Sequence, residues 1–127
     1  MNIIASMSSE TKYDLMMCNH VLEHVNQPSR FLSEFVENLE DGGLLYIEVP
    51  FELFHYFILK TKGHYEHLNY FSKSSMSYLA HSLGLLPVSI DLRMGFGYSI
   101  PVISALFKKP LSPVVYQPSF LRIVNFA

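Results

Sequence analysis

Residues 13–32 read YDLMMCNHVLEHVNQPSRFL and combine an apolar run of strand length, a short polar stretch and the start of a helix. The run from Tyr13 to Asn19 is almost entirely apolar, which favours a strand covered on both faces in a parallel sheet. Polar side chains begin at Asn19 and His20, where this strand would end. Because open α/β sheets bind ligands at the carboxyl ends of their strands, we expect these two side chains to face a ligand.

A helix and a second strand are predicted next along the chain. Pro28 suits the first turn of a helix, because its missing N–H is not needed there. Apolar residues then recur at helical spacing, and the helix is predicted to end at Glu40-Asp41 with Gly42 as a left-handed cap. The strand LLYIEV follows at residues 44–49. A strand, a helix and a strand in this order form a right-handed unit, so the two strands should be parallel neighbours.

The carboxyl-terminal part predicts a further helix and an antiparallel pair of strands. Ser72 is expected to cap a helix over residues 73–83, whose apolar side chains form a single stripe. Alternating apolar and polar residues over 88–93 predict a strand with one wet face or a strand at a sheet edge. Residues 98–107 can return beside it, with Pro101 at a sheet margin or a bulge. The predicted fold class is therefore α/β, with two parallel strands, a carboxyl-terminal antiparallel pair and helices packed on the sheet.

Composition limits the class of protein. The chain has 127 residues, half of them hydrophobic, which suits one domain with its own core. A net charge of −2 argues against nucleic acid as the main partner. No apolar run approaches the ~20 residues of a membrane span, and no signal peptide is recognisable. The one cysteine, Cys18, is expected to be a buried apolar residue; without a disulfide framework, a reducing cytoplasm is the expected location.

The order of these pieces resembles the carboxyl-terminal half of a class I S-adenosylmethionine-dependent methyltransferase. The resemblance rests on LEHV, a helix-starting proline, a Gly-Gly pair and EVP at these spacings, and on HLNYFS before a helix ending in LGL. It covers residues 13–107, with residues 1–12 as a lead-in and 108–127 as a tail. The whole chain, 1–127, would then be a single partial domain with a Rossmann-like sheet.

The glycine-rich cofactor loop of that family, and the acidic residue that holds the ribose of the cofactor, have no counterpart in this sequence. The chain is therefore expected to be a truncated gene product or part of a longer methyltransferase. S-adenosylmethionine would be the cofactor of the complete protein, with weak or no binding by this chain alone. Asn19 and His20 are implied to line its methionine end. The strand at 13–19 would keep an unpaired edge, which predicts a homodimer formed through that edge.

The resemblance also implies an acceptor site within the cluster HYEHLNYF, residues 64–71. Some members that methylate a sugar carbon carry a similar Tyr-His-Glu-His run at this place. Only its last two residues match directly, so Glu66 and His67 are predicted to be catalytic, because methyl transfer needs alignment and the removal of one proton. The implied acceptor is a small molecule such as a sugar, a lipid or a secondary metabolite. The predicted substrate-binding residues are His64 and Tyr65. The alternative is that the aromatic residues of the cluster only pack a lid onto the sheet.

Two other functions remain open. One is a non-catalytic remnant that binds another protein through its unpaired edge and aromatic surface. The other is a zinc hydrolase, because residues 20–24 fit the H-x-x-E-H pattern. That chemistry needs both histidines on one face of a continuous helix, and only about one turn fits before Pro28, so no metal ligand is predicted. Glu23 and His24 are expected to satisfy the unpaired N–H groups at the start of the next helix.

Overall fold

The computed structural model describes residues 10–53, 67–94 and 101–111. Within these ranges the chain forms four strands, two α-helices and a single 3-10 turn. No helix of the described part is long and apolar enough to cross a membrane. The elements are β1 Tyr13–Asn19, the 3-10 turn Leu22–His24, α1 Pro28–Asn38, β2 Leu39–Pro50, α2 Lys73–Ser82, β3 Leu86–Met94 and β4 Pro101–Lys108.

The four strands form one sheet in the order β1-β2-β4-β3. β1 and β2 are parallel, with Met16 opposite Leu45 and Cys18 opposite Ile47. β4 pairs antiparallel with β2 on one side and with β3 on the other. The predicted α/β fold is therefore confirmed, including its parallel pair and its antiparallel pair. The carboxyl ends of β1 and β2 meet at one edge of the sheet, which we call the carboxyl rim (residues 19–25 and 48–52).

One face of the sheet is buried against both helices. Alternate residues of β1, β2 and β4 join one core cluster with Leu32 and Phe35 of α1 and with Met76 and Ala80 of α2. Cys18 lies in this core and is 2% exposed. Burial, aided by the nearby charge of Glu23, raises the pKa of its thiol to about 12. Cys18 is thus a buried apolar residue, as predicted.

The opposite face of β1 is open. Leu15 and Met17 on this face are each 53% exposed, whereas Met16 and Cys18 are buried. The prediction of a strand covered on both faces is therefore wrong for the described part of the chain. The reason is that β1 is the edge strand of this sheet, and both described helices pack against its other face. β3 is the other edge strand of the described sheet, which confirms one of the two alternatives predicted for residues 88–93.

The first helix ends earlier than predicted, because the chain pairs with β1 as soon as it leaves the helix. Leu39 already has an extended conformation and lies opposite Tyr13. Gly42 does have a positive φ of 81°, but it lies within β2, where its N–H donates to the carbonyl of Lys109 at 2.8 Å. A Cβ on Gly43 would lie 2.8 Å from the carbonyl oxygen of Glu40. The glycine pair thus shapes a bulged strand and does not cap the helix.

The second helix begins as predicted. The Ser72 hydroxyl accepts a hydrogen bond from the Ser75 N–H at 3.0 Å, and the Ser72 N–H donates to the Ser75 hydroxyl at 2.9 Å. This reciprocal capping satisfies N–H groups that a helix start would otherwise leave unpaired. It fixes where the segment after residue 67 turns into α2, and so helps to hold that segment near the carboxyl rim.

Candidate functional site

The chain turns sharply where β1 ends. His20 has a φ of +54°, in the left-handed region that non-glycine residues rarely adopt. Its N–H donates to the carbonyl of Glu48 on β2 at 2.8 Å, and this bond helps to hold the unusual backbone. The 3-10 turn Leu22–His24 follows and buries the side chains of Leu22 and Glu23. The turn therefore holds polar side chains in defined positions at the carboxyl rim.

Glu48 is the centre of a polar network on the open face of the sheet. Its Oε1 lies 2.9 Å from Nε2 of His20, and its Oε2 accepts hydrogen bonds from Arg93 Nη2 at 2.7 Å and the Tyr46 hydroxyl at 2.9 Å. The Ser104 hydroxyl donates to the same oxygen at 3.2 Å and accepts from Nε of Arg93 at 2.7 Å. The network thus connects the turn after β1 with β2, β4 and β3.

The Glu48 carboxyl ionises more readily than an ordinary one. Burial opposes its ionisation, but hydrogen bonds from His20, Tyr46 and Ser104 and the charge of Arg93 outweigh burial and hold its pKa below 4.5. Sequence reasoning assigned no role to Tyr46 or Glu48. The alternation over residues 88–93 did mark a wet face that includes Arg93, but no local pattern identifies its partner on β2.

The same turn brings acidic and histidine side chains together at the carboxyl rim. Nε2 of His24 lies 3.9 Å from Oε1 of Glu23, and the rings of His24 and His67 meet edge to face with their centroids 4.5 Å apart. Nδ1 of His67 lies 2.7 Å from Oε2 of Glu52, just past the end of β2. Glu23 and Glu52 are only 2% and 1% exposed. We call these four residues, Glu23, His24, Glu52 and His67, the rim cluster.

Backbone hydrogen bonds attach the segment after His67 to the turn. The N–H groups of Leu68 and Asn69 both donate to the carbonyl of Glu23, at 2.7 and 3.1 Å. The Asn69 side-chain amide donates to the carbonyls of Leu22 and Val25 at 3.1 and 2.6 Å. Sequence reasoning missed Asn69, which lies between Leu68 and Tyr70 in the HLNYF run and carries no local signal of its partners. These bonds place His67 beside the turn.

The structure describes only some of the residues predicted from the sequence. Asn19 is exposed at the end of β1, opposite Glu48, and His20 contacts Glu48. His67 lies in the rim cluster, so it shares the carboxyl rim with Asn19 at the end of β1 and with His20 directly after it. The remaining predicted catalytic and substrate-binding residues lie outside the described part of the chain; they are His64, Tyr65 and Glu66.

One expectation about the LEHV motif is wrong. Glu23 and His24 do not cap the next helix, because α1 begins at Pro28 with Gln27 as its cap residue and no side-chain hydrogen bond there. The zinc-hydrolase geometry is also absent from the described residues. His20 and His24 flank a single 3-10 turn instead of sharing one face of a helix, and the His20 ring contacts Glu48.

A groove of about 610 Å³ lies between α2 and the first half of β3. None of the predicted site residues and no member of the rim cluster lines it. The groove is therefore separate from the rim cluster and from the predicted site residues that the structure describes.

Comparison with known proteins identifies one matching protein family and several solved structures with a similar fold. A family model described as a methyltransferase domain matches residues 3–90. No curated protein sequence matches the chain. An S-adenosylmethionine-dependent methyltransferase from Methanosarcina mazei is similar in structure, with a TM-score of 0.63 and 16% identity over 86% of this chain and 65% of that protein.

Two other solved structures show how far the fold extends. The 1,6-didemethyltoxoflavin N1-methyltransferase of Burkholderia thailandensis, solved with its substrate and S-adenosylhomocysteine, gives a TM-score of 0.65 at 15% identity, over 84% of this chain and 48% of that one. The [4+2]-cyclase SpnF gives 0.59 at 11% identity, over 80% and 51%. The chain thus spans less than two thirds of each of these proteins, and such identities support the fold only.

Replacing Asn69 with alanine is expected to destabilise the protein by about 1–3 kcal/mol, because the carbonyls of Leu22 and Val25 lose their donor in a partly buried site. Urea denaturation measures the change in unfolding free energy. The control is Ser74→Ala on the exposed side of α2, which should change stability by no more than ~0.5 kcal/mol. Equal stability of the two variants would contradict the role given to Asn69.

Glu48→Gln is expected to weaken the dependence of stability on acid pH. The pKa of Glu48 is lower in the folded protein than the ordinary value of 4.5. The stability that its ionisation contributes is therefore present above 4.5 and is lost as pH falls through the folded pKa. Unfolding free energies at about pH 6 and about pH 3 should differ more in wild type than in Glu48→Gln. Glu37→Gln, exposed on α1, should behave as wild type; identical pH dependence in all three proteins would refute the assignment.

Proposed function

The chain belongs to the family of methyltransferase domains that its residues 3–90 match, and on that premise we propose that it is the acceptor-facing part of an S-adenosylmethionine-dependent methyltransferase. The proposed reaction transfers the methyl group of the cofactor to a small molecule such as a sugar, a lipid or a secondary metabolite. The chain spans only 65% and 48% of two solved methyltransferases of similar fold. This partial coverage supports the proposal that the chain is one part of a larger enzyme.

The contact between His67 and Glu52 carries this proposal. Their side chains are 2.7 Å apart and only 13% and 1% exposed. A buried carboxylate beside an imidazole fixes the orientation of the ring and stabilises the charge that the ring gains with a proton. Methyl transfer to a hydroxyl or an amine needs alignment and the loss of one proton from the acceptor. We therefore assign His67 as the base and Glu52 as the residue that positions it, a partner that the sequence did not reveal.

The residues after β1 fit a role on the cofactor side. Asn19 and His20 lie at the carboxyl end of a strand in an open α/β sheet, where such folds bind ligands. The exposed amide of Asn19 and the partly exposed imidazole of His20 can hydrogen-bond the amino and carboxylate groups at the methionine end of S-adenosylmethionine. When bound, the cofactor supplies an electrophilic methyl carbon. The part of this chain is to orient the donor and the acceptor and to accept the proton. Glu66, His64 and Tyr65 remain predicted acceptor-site residues.

His67→Gln in the complete protein that carries this chain is expected to lower kcat at least about 100-fold, because general-base catalysis commonly contributes that much. S-adenosylmethionine affinity should stay close to that of wild type. The assay follows isotopically labelled methyl groups from the cofactor into a panel of hydroxyl, amine and carbon acceptors. The matched control is His81→Gln, an exposed histidine on α2. A wild-type kcat in His67→Gln, or no transfer to any acceptor by protein that binds the cofactor, would argue against the proposal.

The exposed apolar side chains of β1 favour a second candidate function. Leu15 and Met17 are each 53% exposed on β1, which is an edge strand of the described sheet. An apolar strand with an unpaired edge favours pairing with another chain, so a protein-interaction module is the alternative to an enzyme.

Met17→Lys is expected to reduce self-association if β1 forms an interface between two copies, because a charge on the exposed face opposes its burial. Sedimentation over a range of concentrations measures the effect. Tyr78→Lys, at a side chain 76% exposed on α2, is the control and should leave association unchanged. A monodisperse wild-type monomer at high concentration would exclude self-association through β1.

A further inference from the structure

We propose that Glu23, His24 and His67 form a binding site for a divalent first-row transition-metal ion. Each of these residues offers one ligand atom, and the three atoms lie within 4.8 Å of one another. The set differs from the one that the H-x-x-E-H pattern would use. His20 contacts Glu48 instead, and the third ligand comes from the segment that follows β2. This placement could not be inferred from the spacing of the motif.

The environment of Glu23 is the first argument for a cation. Its side chain is 2% exposed, and its Oε2 has no hydrogen-bond partner among the described residues. Its Oε1 faces Nδ1 of His20 at 3.8 Å and Nε2 of His24 at 3.9 Å, both beyond hydrogen-bond distance. A buried carboxylate oxygen without a hydrogen-bond partner is costly, and such atoms in native proteins are normally satisfied. A cation held between Glu23 and the imidazoles would provide the missing partner.

The contact of His67 with Glu52 is the second argument. Histidines that bind a metal through one ring nitrogen usually donate the other N–H to a carboxylate or a carbonyl. Nδ1 of His67 lies 2.7 Å from Oε2 of Glu52. In the proposed site the buried Glu52 carboxylate, in close contact with the ring, positions His67 as a ligand. The two backbone hydrogen bonds to the carbonyl of Glu23 fix this segment beside Glu23 before any ion binds.

The donor set indicates the class of ion. Two imidazoles and one carboxylate occur in zinc sites that keep an open position and in non-haem iron sites, whereas calcium and magnesium prefer oxygen ligands throughout. Ligands at ~2.1 Å from a tetrahedral ion are about 3.4 Å apart, so the three atoms must close in slightly. His24, whose side chain is 43% exposed, is the member best able to move.

The site does not depend on the proposed methyl transfer, because its test measures binding of the ion alone. It does bear on that reaction. A His67 nitrogen that binds a metal cannot accept a proton at the same time. An occupied site would therefore inhibit the proposed methyl transfer.

The experiment titrates the chelator-stripped chain with Zn²⁺ in a calorimeter and counts bound zinc after dialysis. We expect one ion per chain. His24→Gln and Glu23→Gln should each weaken binding at least about tenfold, and Glu52→Gln by about tenfold through loss of ring orientation. The control His81→Gln should bind as wild type. Co²⁺ should give the intense visible absorption of a site with fewer than six ligands in wild type and lose it in His24→Gln.

Thermal unfolding without metal separates loss of the site from loss of the fold. His24→Gln is the decisive variant, because its exposed side chain can be changed with little effect on stability. The proposal is overturned if wild type binds no zinc, or if His24→Gln binds zinc as tightly as wild type and His81→Gln do. A Co²⁺ spectrum like that of the hydrated ion would also overturn it.

Discussion

The parallel pairing of β1 with β2 is the constraint on which the described structure depends. Two neighbouring strands that run the same way must be joined over the face of the sheet, and α1 makes that connection. The carboxyl ends of both strands then lie at one edge, together with the turn after β1 and the residues after β2. An antiparallel arrangement would have separated Glu23 from Glu52 and placed His20 far from Glu48. The carboxyl rim is thus a direct result of the topology.

The acidic side chains near the carboxyl rim are satisfied to different degrees. Glu48 accepts hydrogen bonds from side chains of three strands and contacts the His20 ring, so its charge is well compensated and its pKa is lowered. Glu23 is almost fully buried, yet one of its oxygens has no hydrogen-bond partner in the described part of the chain. A network as complete as that around Glu48 rigidifies a site. An incompletely paired carboxylate beside two imidazoles is where a bound cation would gain most, and the metal site proposed above rests on that difference between Glu23 and Glu48.

The fold of this protein is compatible with several reactions, whereas the side chains at the site limit which of them is possible. The same architecture occurs in methyltransferases and in a [4+2]-cyclase, as expected of a fold that hosts many activities. The function is narrowed here by the family to which residues 3–90 belong, and the contact of His67 with the buried Glu52 carboxylate supports the proposed reaction. The open face of β1 is a separate property. It results from the position of β1 at the sheet edge and from the packing of both described helices on the opposite face.

Local sequence patterns determined the elements of this protein. Apolar runs, a helix-starting proline and a serine cap are short-range signals, so they predicted β1, the start of both helices, the parallel pair and the burial of Cys18. The ends of elements were less certain, because whether Gly42 caps α1 or shapes β2 depends on pairing with a distant strand. Only the tertiary structure decided the partners of the charged groups. Glu52 meets His67, and Arg93 meets Glu48 45 positions away, because sheet topology and not sequence distance sets which side chains touch.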